Sequence, residues 1–390
     1  MTRFARPVRL LLVNQFAVNT GFYLLIPHLA AHLGGLGMSA AVIGVVLGVR
    51  TLSQQGLFLV GGTASDRLGP RAAILAGCGV RAVGFGLFAV GGSLPVVLAA
   101  SVLSGVAGAL FNPAVRAYIA LEAGDARTEA FARFTAWGQA GALLGPVLGS
   151  VLLLWDFRVC AVVAAGIFAA LTVAQAVVLP GRPAGRRGGS VVGDWRECLA
   201  NRRFVAFTCV LSGMFVLQNQ LYLLLPLQAQ EATGSAGVVA ALFVVSAVTT
   251  LLFQVRITRW LADRARGPVL AAGLAVTGTG FVAPALWSGL VPVLVATLAL
   301  AVGVMVAQPL VHDLIPSFGP ESLAGTRFGV FYLGSGLAAA LGNAAIGWVS
   351  GFGDRLASLL CAAIGLTCAG GVVWLHRRRA LTPPSPEVVR

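Results

Sequence analysis

Residues 61–71 read GGTASDRLGPR, and residues 257–268 read ITRWLADRARGP. Each copy sets Asp-Arg, then a glycine and a proline, just beyond a long apolar run. The first copy follows the second apolar run of the chain and the other follows the eighth, so the pattern recurs six runs apart. Two such halves around a central path are a transporter plan.

The composition agrees. Of 390 residues, 58% are hydrophobic and only 10% charged, with a mean hydropathy of +0.89. Soluble domains are nearer one quarter charged, which excludes a soluble globular class. A spanning helix needs about 20 apolar residues. Spans are read at 8–32, 39–63, 71–92, 94–118, 133–155, 158–180, 204–229, 236–257, 267–288, 290–315, 325–350 and 356–376. The expected fold is therefore an all-α integral membrane protein with twelve transmembrane helices in two six-helix bundles. The N-terminal bundle covers 1–180, a cytosolic linker 181–203, the C-terminal bundle 204–376 and a cytosolic tail 377–390. Within the linker, DWRECLANRRF reads as a short interfacial helix.

All 27 basic residues are arginine. All but four fall on one side of the membrane when the N-terminus is put in the cytosol. The exceptions are Arg158 and Arg355 outside, and Arg50 and Arg81 within spans. This bias places both termini inside a plasma membrane. It also disposes of a nucleic-acid reading of the +14 net charge, because topology signal is not a basic patch. Six scattered cysteines without a CxxC or Cys/His cluster indicate neither a disulfide framework nor a metal site. No nucleophile–base pairing or phosphate loop points to an enzyme, and no cofactor is implied.

GGTASDRLGPR resembles the loop signature of the major facilitator superfamily, carried here by Gly62, Asp66, Arg67, Gly69 and Arg71. Gly69 permits a tight turn. Asp66 can accept from the amides at the start of a neighbouring helix, where the dipole favours an anion. The resemblance implies that this neighbour is span 11 and that the contact gates the cytosolic side. Arg71 is expected near Glu122, and Asp263-Arg264 form the second copy. Span 5 carries GALLGPVLGS, whose Gly141, Gly145, Pro146 and Gly149 resemble the antiporter motif of drug exporters in that superfamily. Glycines four apart allow close helix approach, and Pro146 lets the helix bend. The runs GVVLGVRTLSQQGLFLVGG, SGVAGALFNPAVRA and LGSVLLLWDFR resemble the MdtH-like multidrug-resistance branch of drug/proton antiporters.

One departure stands out. That branch usually carries an acid in span 1, at the position of Asn14. The substrate-binding candidates are instead amides, tyrosines and arginines: Asn14, Gln15, Asn19 and Tyr23 on span 1, Arg50 and Gln54 on span 2, Arg81 on span 3, Asn112 on span 4, and Gln218 and Tyr222 at i, i+4 on span 7. Intramembrane polar groups of this kind face a bundle interior or a wet cavity. They favour neutral or anionic substrates over simple cations. The titratable pair left for proton coupling is His312 and Asp313 near the inner end of span 10. The leading expectation is efflux of amphipathic small molecules by alternating access, with protons as the counter-ion and the protein a monomer in the bilayer. The alternatives are a facilitator or importer of a small metabolite without such coupling, and a non-transporting membrane sensor.

Overall fold

The computed structural model describes residues 4–181, 190–235 and 238–381, and among them the regular structure is entirely helical. The centre of the expected linker and the end of the tail lie outside the described residues. In chain order the helices are α1 (Arg6–Gly35), α2 (Ala40–Gly56), α3 (Phe58–Leu68), α4 (Pro70–Val90), α5 (Leu94–Glu122), α6 (Arg127–Leu152), α7 (Phe157–Val178) and α8 (Val191–Ala200). They continue with α9 (Arg202–Asn219), α10 (Leu224–Thr233), α11 (Val238–Trp260), α12 (Arg266–Gly280), α13 (Val282–Leu286), α14 (Leu290–Leu314), α15 (Ala324–Ser350) and α16 (Asp354–Arg377). Among the described residues, ten helical stretches are long and apolar enough to cross a bilayer. The other two expected spans correspond to the α2–α3 pair, which breaks at Leu57, and to α6, whose first turns carry Arg127, Glu129 and Arg133.

Local chemistry sets the boundaries. Gly69, at φ +89°, turns the chain between α3 and α4, and Pro70 then starts α4. The Asp156 carboxylate caps α7 by accepting from the Arg158 amide at 2.6 Å. Asn201 caps α9 through the Phe204 amide at 3.1 Å. Span 7 is not continuous: α9 stops at Asn219 and α10 starts at Leu224. Pro226 has no N–H to give the Tyr222 carbonyl, so the helix loses its register there. Pro284 similarly cannot bond the Gly280 carbonyl, and the chain breaks at Phe281 between α12 and α13.

The chain forms two compact units. Unit 1 holds residues 1–198 together with 319–333, and unit 2 holds the remainder. The sequence assigns 319–333 to the second bundle, yet the start of α15 packs on α3. The reason is backbone contact through glycine. A Cβ at Gly62 would overlap the Gly325 carbonyl, and one at Gly329 would fall 2.6 Å from the Phe58 carbonyl oxygen. In unit 2, Gly278 of α12 and Gly365 of α16 meet in the same way. Without a hydrophobic drive between helices in lipid, such close packing is what associates them. Many apolar side chains are left outside, Leu154 and Val177 at least 80% exposed, as expected where hydrocarbon is the solvent.

Candidate functional site

Unit 1 contains two separate constellations. The first lies inside the bundle, on α1, α2, α4 and α5. Phe22 of α1 has the Arg50 guanidinium of α2 5.2 Å from its ring centre and that of Arg81 of α4 6.0 Å away. Arg81 is 5% exposed. It is enclosed by two further rings, Phe111 at 5.9 Å and Phe168 at 5.4 Å. Its Nε has no hydrogen-bond partner. Arg50 donates to Gln54 Oε1 at 3.3 Å and to Thr51 Oγ1 at 3.2 Å, and it leaves its own Nε unpartnered. Tyr23 is within electrostatic reach of Arg50. Gln54 and Arg81 both pack onto Gly108 of α5, where a Cβ would sit 2.8 Å from the amide carbon and 3.0 Å from a guanidinium nitrogen. Four expected residues, Tyr23, Arg50, Gln54 and Arg81, are thus brought together.

The electrostatics of this cluster are unusual. Among the described residues no carboxylate pairs with either guanidinium. Removing a cation from water without a counter-ion costs several kcal/mol, and each aromatic face returns only about 0.5–2 kcal/mol. Two unneutralised arginines beside a tyrosine and an amide therefore make a site of positive potential with apolar walls. It can accept an anion, or a neutral group rich in acceptors, on an aromatic or aliphatic body.

The other amides of unit 1 are arranged differently. Gln15 donates to Asn19 at 3.2 Å, and Asn19 donates to the Gly138 carbonyl of α6 at 2.8 Å. Asn14 is 1% exposed and neither of its amide atoms has a partner. Asn112 serves Arg116, which donates to its carbonyl at 2.9 Å. Arg116 lies against Phe134 and Tyr332, 5.3 and 4.9 Å from their ring centres. Its position among side chains was missed by reading it as a topology charge at the end of span 4. Gly141, Gly145 and Gly149 carry α1 along α6: a Cβ at Gly141 would overlap the Phe16 carbonyl, and one at Gly145 would lie 2.7 Å from Tyr23 Cβ. The glycine stripe therefore fixes where Asn19 and Tyr23 stand.

The second constellation surrounds Asp66 at the end of α3. Its carboxylate accepts from the Gly325 amide at 2.8 Å and the Thr326 amide at 2.6 Å, the first residues of α15. Burial outweighs these donors and pushes the Asp66 carboxyl up to about 6. Gly62 provides the close approach already described. Arg67 pairs with Asp194 of α8 at 2.7 Å, and Trp195 Nε1 donates to Thr63 Oγ1 at 2.8 Å. The short helix within the expected linker is thereby held on the motif, a contact that sequence spacing does not reveal. Arg71, expected near Glu122, donates instead to the Ala176 carbonyl at 2.6 Å.

Unit 2 differs from its sequence repeat. Asp263 and Arg264 are exposed, and the Arg264 guanidinium stacks on Trp260 at 5.5 Å. An ion pair in this half joins Arg266, at the start of α12, to Asp313, at the end of α14, at 3.1 Å. Asp313 and His312 are both buried. Gln218 and Tyr222 do not share a helical face, because the break after Asn219 falls between them. Tyr222 is exposed and packs on Phe243 at 5.2 Å. Gln220, two residues after Gln218, is the buried amide, donating to Asn343 Oδ1 at 2.9 Å. Among the described residues no group of three metal-ligating side chains exists.

Comparison with known proteins gives these features their context. The family model described as Major Facilitator Superfamily matches residues 11–342.

The chain belongs to the Major Facilitator Superfamily.

It is accordingly a multi-pass membrane transporter and not an enzyme. An uncharacterized MFS-type transporter of Mycobacterium tuberculosis is 41% identical over 368 residues, covering 90% of this chain and 88% of that protein. The multidrug resistance protein MdtH of Cronobacter sakazakii is 31% identical over 381 residues, covering 96% and 95%. In three dimensions the chain is similar to the human organic anion transporter MFSD10 (TETRAN), with a TM-score of 0.79 at 18% identity over 94% of this chain and 99% of the other. The E. coli fucose:proton symporter FucP gives 0.78 at 16% identity over 94% and 98%. These two likenesses carry the fold.

Proposed function

We propose that the protein is a twelve-helix secondary transporter of the plasma membrane, with both termini cytosolic, that exports amphipathic small molecules by alternating access. It acts as a monomer in exchange for protons. The cargo it prefers is anionic or neutral. The observation that carries this preference is the cluster of Arg50 and Arg81 around Phe22, with an unpartnered Nε on each and, among the described residues, no carboxylate to neutralise them. The export direction is supported by relatives named multidrug resistance proteins at about 30% identity and by the glycine-proline stripe of α6.

Gating follows from the second constellation. Asp66 and the first amides of α15 form a clasp that separates in one half of the cycle, while Gly62, Arg67 and Gly69 set its geometry. In unit 2 the Arg266–Asp313 pair does the corresponding work. When that pair parts, Asp313 loses its counter-charge, and His312 and Asp313 are the pair to which we assign proton coupling. Asp263 and Arg264 anchor the loop that carries Arg266.

A second reading, facilitated transport without proton coupling, is favoured by the amide at Asn14 where the family's exporters carry an acid. Reconstitution in liposomes separates the two. Uptake of an anionic amphiphile that follows an imposed pH gradient supports antiport; uptake that ignores the gradient supports the facilitator. Faster gradient-driven uptake of a monocationic dye than of either the anion or a neutral analogue would defeat the cargo preference.

A further inference from the structure

Arg81 of α4 is 5% exposed, yet among the described residues it donates no hydrogen bond. A guanidinium carries five N–H donors in one plane. The rings of Phe22, Phe111 and Phe168 surround it and leave those donors unanswered. Of its three nitrogens Nε alone is fully enclosed, so the surface left to the residue includes its two Nη atoms.

Gln54 of α2 stands beside it. The Gln54 amide carbon and Arg81 Nη2 lie 2.8 and 3.0 Å from one point, the place that a Cβ on Gly108 would take. Arg50 decides which end of that amide is spent. It donates to Gln54 Oε1 at 3.3 Å, which uses the acceptor and leaves the Nε2 donors uncommitted among the described residues. This corner of unit 1 therefore presents donors only, from Arg81 Nη2 and Gln54 Nε2, and Arg50 adds a second positive charge. No acid on the surrounding helices balances them. α1, α2, α4 and α7 carry no carboxylate. The one on α5, Glu122, stands about 21 Å along the helix from Gly108 at 1.5 Å per residue.

We infer that Arg81 Nη2 and Gln54 Nε2 bind a halide, chloride above all, and that the carboxylate of an anionic cargo displaces it. A monoatomic anion accepts N–H groups from any direction and needs no matched fork. It is also small enough to reach a guanidinium so deeply enclosed. The edges of the surrounding rings, the positive part of their quadrupole, suit an anion in the guanidinium plane. Displacement keeps the charge of the site constant. A neutral cargo binds with the halide in place, and an anionic cargo brings its own charge as the halide leaves. One cluster thus accepts both classes without leaving two buried cations wholly uncompensated. The competition rests on the cargo preference proposed above; the halide site itself does not.

The test uses the full-length protein in detergent at fixed ionic strength, with chloride replacing gluconate. Chloride should raise Tm saturably, by about 2 °C or more, because a ligand of the folded form stabilises it. Bromide should do the same. Arg81→Gln should melt no lower than the unmodified protein in gluconate and should lose the chloride shift. Gln54→Leu should raise several-fold the chloride concentration that gives half the shift. In proteoliposomes, chloride should raise KM for a carboxylated dye several-fold with kcat unchanged, and leave the methyl ester of that dye unaffected. Equal Tm in chloride and gluconate, or an undiminished shift in both variants, would overturn the halide site. A chloride shift that leaves KM for the carboxylated dye unchanged would overturn the competition. A transporter that favours cations but keeps a chloride shift dependent on Arg81 would overturn the cargo preference and support the halide site.

Discussion

Replacing Arg81 by Gln separates a cargo-binding arginine from a structural one. At about 4 Å, an effective dielectric near 20 gives roughly 4 kcal/mol between a guanidinium and a carboxylate. Glutamine keeps a donor and forfeits the charge, so about 2–3 kcal/mol of that is lost, equivalent to roughly 100-fold in apparent affinity. A neutral cargo of the same shape has no such attraction to lose and should change less than about threefold. Stability moves the other way. Arg81 is 5% exposed with no carboxylate partner among the described residues, and replacing an uncompensated buried charge is neutral or stabilising. The assay is uptake into proteoliposomes of a carboxylated dye and its methyl ester, alongside a thermal melt of each variant. The expected pattern for Arg81→Gln is selective loss of the anion with an equal or higher Tm, and partial retention in Arg81→Lys. Equal loss of both cargos, or a lower Tm with unchanged anion selectivity, would refute the reasoning and make Arg81 a structural residue.

Three further outcomes follow from the geometry. Asp66 has its carboxyl raised from 3.8 to about 6 while packed on α15, so the packed form takes up a proton that the separated form does not. Its clasp should tighten as pH falls from about 7.5 to 5, by roughly 1.4 kcal/mol or tenfold, and loosen above about 6; spin labels at Leu68→Cys and Glu321→Cys in a Cys209→Ser background read the distance, and Asp66→Asn should remove the dependence. Gly141→Ala drives a methyl group into the Phe16 carbonyl; it should cost about 1–3 kcal/mol in melting experiments and abolish transport of all cargos alike. The His312→Ala, Asp313→Asn double variant removes the proposed titrating pair and leaves Arg266 unpaired; gradient-driven uptake should fall to the rate of gradient-free exchange, and normal driven uptake would remove the pair from the mechanism.

Much of the helix pattern was legible because bilayer length and apolar composition leave few other solutions. The turn at Gly69 and the nearness of Asp66 to a helix start followed from residue chemistry. What was hidden has identifiable causes. Gln218 and Tyr222 were paired by helical spacing, but Pro226 removes a backbone bond and breaks that helix between them, so Gln220 became the buried amide. Periodicity assumes an unbroken helix, and a proline four residues on was the available signal against it. Arg116 was counted as a topology charge; its place against Phe134 and Tyr332 depends on α15, distant in sequence. The Arg67–Asp194 and Trp195–Thr63 contacts join the loop motif to α8 and have no local signature at all. The Arg50–Arg81 cluster was only half visible. Sequence flagged both cations inside spans, but that one phenylalanine ring lies between them is a matter of packing.

The role of Arg50 and Arg81 is tested most directly by the charge selectivity of the unmodified protein in liposomes carrying an imposed pH gradient, measured with anionic, neutral and cationic amphiphiles of matched size. The anion and the neutral compound should move with the gradient, and the cation should be slowest. Gradient-driven transport that favours the cation would contradict it, because Arg50 and Arg81 would then be shaping something other than the cargo site.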